Sequence, residues 1–127
     1  MLALIVDPDA ARLSRTTDIM RAAGYRPISV SCFEEARRCI EAGAINVLVV
    51  QERLGAYHGV HLLYLARRTN PHVTVVVVTR EPDAFLEREL TVMGGVRTLA
   101  IADLPTLVQT LADVALHSHG PPLTKPM

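Results

Sequence analysis

"NVLVVQERLGAYHGVHLL", residues Asn46 to Leu63, is the stretch on which the architecture of this chain turns. Its opening run of Val and Leu lacks polar alternation, which fits a strand buried on both faces. The run meets a polar residue, Gln51. A loop holding Gly55 and Gly59 follows, and beyond it the apolar spacing turns helical. In a parallel sheet flanked by helices, such a strand end delivers a side chain to the crevice where ligands bind. The group delivered here is a carboxamide, which is a poor nucleophile and carries no charge.

On either side of this stretch lie the other apolar runs, "LALIV" (2–6), "RPISV" (26–30), "VTVVVV" (73–78) and "RTLAI" (97–101). Segments of helical period separate them. One lies near 9–23 and stops at Gly24. The next opens at Ser31, with Glu34 three residues on as a capping box, and ends at Ala42–Gly43. A third lies near 59–69, closed by Asn70–Pro71. A fourth starts at "EPDAF", with Pro82 suited to a first helical position, and ends at Gly94–Gly95. The last lies near 104–117, with Leu104, Leu107, Val108, Leu111 and Ala115 on one stripe. The order βαβαβαβαβα predicts a flavodoxin-like doubly wound α/β sandwich. Its parallel five-stranded sheet takes the order 2-1-3-4-5, with helices on both faces. Residues 1–117 read as one domain, and 118–127 as a Pro-rich tail.

The chain has 127 residues, 50% hydrophobic and 20% charged, with a formal net charge of zero. That length buries a sizeable core without metal or disulfide support. No basic excess points to direct nucleic-acid binding. "VTVVVV" is far too short to span a bilayer, and no signal segment is evident, so a cytoplasmic protein without membrane association is expected. Cys32 and Cys39 match no metal or redox spacing and read as packing residues. No Gly-rich phosphate loop or GxSxG is present, and the histidines lack metal-ligand spacing. No cofactor, no metal and no enzymatic activity are expected.

The strand ends carry a resemblance. "LIVDPDAARLSRTTDIMRAAGY", "VLVVQERLGAYHG", "VTVVVVT" and "GGVRTLAIADLPTLVQTL" together resemble the receiver domain of two-component response regulators. Leu54 and Gly59 stand three and eight residues past the acceptor position, as in that family. The resemblance implies a signalling fold in which an aspartate takes a phosphoryl group. A magnesium ion is held by that aspartate and an acidic pair, and a Ser/Thr and a lysine contact the phosphoryl oxygens.

The departures set the functional expectation. Gln51 stands at the acceptor position. Asp7 remains of the acidic pair, with Pro8 in the second place and Asp9 beyond it; a shift of one residue makes Asp7 the second acid instead. Thr79 is kept, the lysine position falls on Ala102, and the aromatic switch position on Leu99. The chain therefore resembles a degenerate pseudo-receiver. It is expected to be a phosphorylation-independent module that binds a protein partner or a second copy of itself. Plainer roles stand beside this: Gln51 as an ordinary strand-end residue, Asp7 and Asp9 as helix caps, Thr79 as a β-branched strand residue. Two rivals remain, namely a phosphorelay receiver with unusual acceptor chemistry and a small-molecule sensor using the vacant pocket. A further reading takes the chain as the N-terminal part of a longer regulator. Arg53 and Arg80 are candidate cations to fill the pocket by pairing with Asp7 or Asp9. The receiver likeness also points to a homodimer face of the fourth helix, fifth strand and fifth helix, with Phe85, Val92, Leu99 and Leu116 as its apolar residues.

Overall fold

A computed structural model describes the backbone of residues 1–118 and the side chains through Ala115. The side chain of Leu116 and the tail residues 119–127 lie outside the described residues. The sheet is built from β1 (Leu2–Val6), β2 (Arg26–Val30), β3 (Val47–Gln51), β6 (Thr74–Thr79) and β7 (Val96–Ala100). All pairings are parallel, in the order β2-β1-β3-β6-β7. This is the expected 2-1-3-4-5 arrangement of the sheet strands. A two-stranded hairpin, β4 (Arg53–Leu54) and β5 (Tyr57–His58), follows β3 directly.

Strand alternation divides the core. Leu4, Val6, Leu48, Val50, Val75 and Val77 face one side. There they meet Ala36 and Ile40 of α2 (Phe33–Glu41), Leu62, Leu63 and Ala66 of α3 (Val60–Thr69), and Leu90 of α4 (Ala84–Thr91). Ala3, Ile5, Val47, Val49, Val76 and Val78 face the other side. Their partners are Met20 of α1 (Ala10–Ala22) and Leu107 and Leu111 of α5 (Leu107–Ser118). Each fully buried aliphatic side chain is worth roughly 1.5–3 kcal/mol. Cys39 packs against the first of these clusters, whereas Cys32 is exposed, contrary to its expected packing role.

Several helix ends differ from the sequence expectation. Cys32, not Ser31, stands at the N-cap of α2 and gives no side-chain cap bond. Glu35 accepts from the Ser31 amide, while Glu34 pairs with Arg37, so the capping box does not form. Asp83 caps α4 and leaves Pro82 before the helix. A 3-10 turn, Ile101–Thr106 with Pro105 inside it, precedes α5. Arg67 is half-buried, and its guanidinium donates to the carbonyls of Met93 and Gly94 at the end of α4. Burial lowers its pKa.

Glu87 ties α4 to β7. It accepts from Arg97 Nε at 2.6 Å, from the Thr98 amide at 2.9 Å and from the Thr98 hydroxyl. Burial pushes its carboxyl pKa up, but the Thr98 and Arg97 hydrogen bonds outweigh this and leave it below the ordinary value. A carboxyl lowered in the folded state contributes stability above its unfolded pKa and loses it as pH falls through the folded pKa. Chemical denaturation from about pH 6 down to about pH 3 is expected to show a loss of stability that Glu87→Gln makes shallower. An unchanged pH dependence in the variant contradicts the assignment.

Candidate functional site

The chain leaves β1 toward α1 on one face and β3 toward α3 on the other. A crevice opens between the two departures at the carboxyl ends of the strands. Its volume is about 580 Å³. Pro8 and Arg12 border it after β1, Gln51, Glu52 and Arg53 at the end of β3, Val78 and Arg80 at the end of β6, and Ile101 after β7. Gly55, from the hairpin turn, closes the rim.

Asp7 follows β1 and is 1% exposed. Its Oδ1 accepts from the Asp9 amide at 2.8 Å and from an Arg12 terminal nitrogen at 2.9 Å. Its Oδ2 accepts from Arg12 Nε at 2.6 Å. This is a two-point guanidinium–carboxylate pair, the geometry that favours Arg over Lys. The Asp7 hydrogen bonds raise the Arg12 pKa above its ordinary value. Asp9 is the N-cap of α1, accepting from the Arg12 amide at 2.9 Å. That bond, with the nearby Arg12 charge, lowers the Asp9 carboxyl pKa despite some desolvation.

The expectation that Arg53 or Arg80 pairs with these aspartates is corrected: Arg12 makes that pair. Its position explains the reach. Helical side chains tilt toward the helix N-terminus, so the third residue of α1 folds back over the strand end. Arg53 and Arg80 are exposed at the cleft, and their guanidinium groups make no ion pair or hydrogen bond among the described residues.

Gln51 closes β3 and is 7% exposed. Its carboxamide makes no hydrogen bond among the described residues. Gly59 is packed against its backbone: a Cβ there would lie 2.1 Å from the Gln51 carbonyl oxygen and 2.8 Å from Val50 Cγ2. The Gly59 amide donates to the Glu52 carbonyl at 2.8 Å. Together these fix the strand end against the start of α3. The hairpin reverses at Gly55, whose φ of 64 lies where glycine is favoured. Tyr57 of the hairpin stacks on Phe33, centroids 4.6 Å apart. Because β3 ends at Gln51, Glu52 also borders the cleft, although strand alternation alone would turn it away.

Thr79 is buried and donates to the Glu81 carbonyl at 2.6 Å, and it does not line the cleft. Ala102 is exposed within the 3-10 turn; the wall position belongs to Ile101, one residue earlier. Thr79 pairs with Ala100 in the β6–β7 register, so Ile101 is the first residue past the strand. Leu99 is 9% exposed and packs on the α1–α5 side, which removes it from the expected dimer face. Thr98, beside it, turns toward α4 and Glu87. Phe85 and Val92 of that face are 68% and 84% exposed.

A magnesium ion does not fit the groups present. Both Asp7 oxygens are engaged by Arg12, and Gln51 brings no charge. Among the described residues, no three His, Cys, Asp or Glu side chains are grouped to hold a metal. No described helix is long and apolar enough to cross a membrane.

No protein-family model and no curated protein sequence matches the chain. Solved structures do. A CheY-like response regulator receiver domain protein from Methanospirillum hungatei JF-1 superposes with a TM-score of 0.78 at 21% identity, covering 93% of this chain and 95% of that one. A response regulator receiver domain protein from Clostridium thermocellum gives 0.79 at 16%, covering 93% and 96%. The receiver domain of the Francisella response regulator 1452 gives 0.77 at 16%, covering 91% and 97%. The sheet order, the two helical layers and these superpositions agree that the chain has the fold of the response-regulator receiver domains.

Proposed function

We propose that this chain is a phosphorylation-independent signalling module of the receiver type, which works by binding protein and catalyses no phosphoryl transfer. The observation that carries the reading is Asp7. Its carboxylate is already satisfied by a guanidinium of the same chain, where receiver chemistry would need it free for a cation. Gln51 supplies no nucleophile, and the wall after β7 is the aliphatic Ile101. Transfer to a weak nucleophile in a site without charge stabilisation lacks both elements of covalent catalysis.

The surface of α4 and β7, with α5 beside it, is the proposed interface, and a second copy of the chain its occupant. Phe85 and Val92 lie seven residues apart on one side of the fourth helical segment and are largely exposed. Association needs no phosphate and is therefore constitutive. Sedimentation at micromolar concentration should give the same dimer with and without magnesium and acetyl phosphate. Phe85→Glu should raise the dissociation constant at least about tenfold, from the burial value of one aromatic side chain. A monomer throughout, or a dimer only with the phosphodonor, contradicts the proposal.

A further inference from the structure

Phosphorylation-independent binding at the α4 surface gives no role to three groups of the cleft, namely Arg53, Arg80 and Gln51. Their arrangement goes beyond that reading. The cleft, about 580 Å³, falls in the range of small-molecule sites. Arg12 is balanced by Asp7. Of the remaining lining charges, Arg53 and Arg80 are positive and Glu52 negative, which leaves an excess of one positive charge. Gln51 is the independent observation. It is 7% exposed, lines the same cleft, and its carboxamide is unpartnered among the described residues. Its polar atoms still touch the cleft, so water or a ligand there is their partner. Pro8 and Ile101 add apolar wall next to the polar groups.

We propose that the cleft binds a small organic oxyanion without covalent chemistry, Arg53 and Arg80 meeting the phosphate or carboxylate head and the Gln51 amide donating to it. The apolar body of the ligand rests on Pro8 and Ile101. Guanidinium groups suit such heads because their planar donors match the oxyanion. Glu52 is the opposing charge, so it limits affinity and sets a second, independent handle.

Phenyl phosphate and benzoate share one apolar body and differ in the head, and benzyl alcohol is the neutral control. Each is titrated into the isotope-labelled full chain and followed by NMR. Saturable shifts are expected at the Gln51 side-chain amide and the Arg53 and Arg80 side chains, with either anion and not with the alcohol. The anion that binds more tightly identifies the head group. Arg53→Ala combined with Arg80→Ala should weaken binding at least about tenfold, the loss of charge-assisted hydrogen bonds. Both residues are exposed, so folding is preserved. Glu52→Gln should tighten binding. No saturable shift with either anion, or a dissociation constant unchanged in the double variant, overturns the proposal. Protein mass is measured on the same samples. A covalent phosphoryl adduct contradicts the phosphorylation-independent reading, while absent anion shifts contradict only this inference.

Discussion

Arg12→Met is expected to lower the unfolding free energy by about 3 kcal/mol, because it leaves a buried carboxylate without its cation. Asp7 is 1% exposed, and Arg12 supplies two of its hydrogen bonds. Methionine keeps much of the aliphatic stem, so lost packing contributes little. The position also argues that charge pairing is the reason for an arginine here. A cation in the first turn of a helix faces the positive end of the helix dipole. Asp7 and Asp9 offset that repulsion. The cost comes mainly from the orphaned acid, so removing it as well should recover most of the loss. Arg12→Met with Asp7→Asn is expected to stay within about 1.5 kcal/mol of the parent. Urea midpoints at constant slope measure both. A single variant as stable as the parent would show that the pair is not structural.

Gly59→Ala is expected to cost about 3 kcal/mol, the upper part of the range for overpacking a filled site. The new Cβ would stand 2.1 Å from the Gln51 carbonyl oxygen. That atom is backbone of a central strand and has no rotamer to escape into. Either β3 or the start of α3 must move, and the 2.8 Å Gly59–Glu52 hydrogen bond moves with it. Gly24→Ala offers a contrast, since nothing lies within 4 Å of a Cβ there and its cost is the positive φ alone. Thermal and urea unfolding should therefore place Gly59→Ala well below Gly24→Ala. Equal loss in the two would mean that close approach to Gln51 is not what requires glycine.

Much of the fold is legible in the sequence because β1, β3 and β6 are buried on both faces and read as unbroken apolar runs. The hairpin at Arg53–His58 is not, because each of its strands is two residues long, too short for a period. Its signal is the Gly55–Ala56 pair between "RL" and "YH". In the site, positions fixed by strand ends are readable: Asp7 and Gln51 stand where their runs stop. Arg12 is hidden, because its contact crosses from helix to strand end and depends on side-chain direction. The lysine position read from the sequence falls one residue late, on Ala102, because strand register is not visible there. Pairing of Thr79 with Ala100 ends β7 one residue earlier and brings Ile101 to the wall. Leu99 goes to the wrong surface for the same reason, since a shift of one residue exchanges the two faces of a strand. The absence of the lysine holds in either register, because isoleucine is as uncharged as alanine.

Whether this cleft takes up a phosphoryl group is read by incubating the full chain with acetyl phosphate and magnesium, then measuring intact mass and mapping peptides. An unchanged mass is expected for the parent chain. The same is expected for Gln51→Asp, because Asp7 remains paired with Arg12 and Ile101 offers no cation. A phosphoryl adduct on Asp7, Asp9 or Glu52 of the parent chain would contradict the phosphorylation-independent reading.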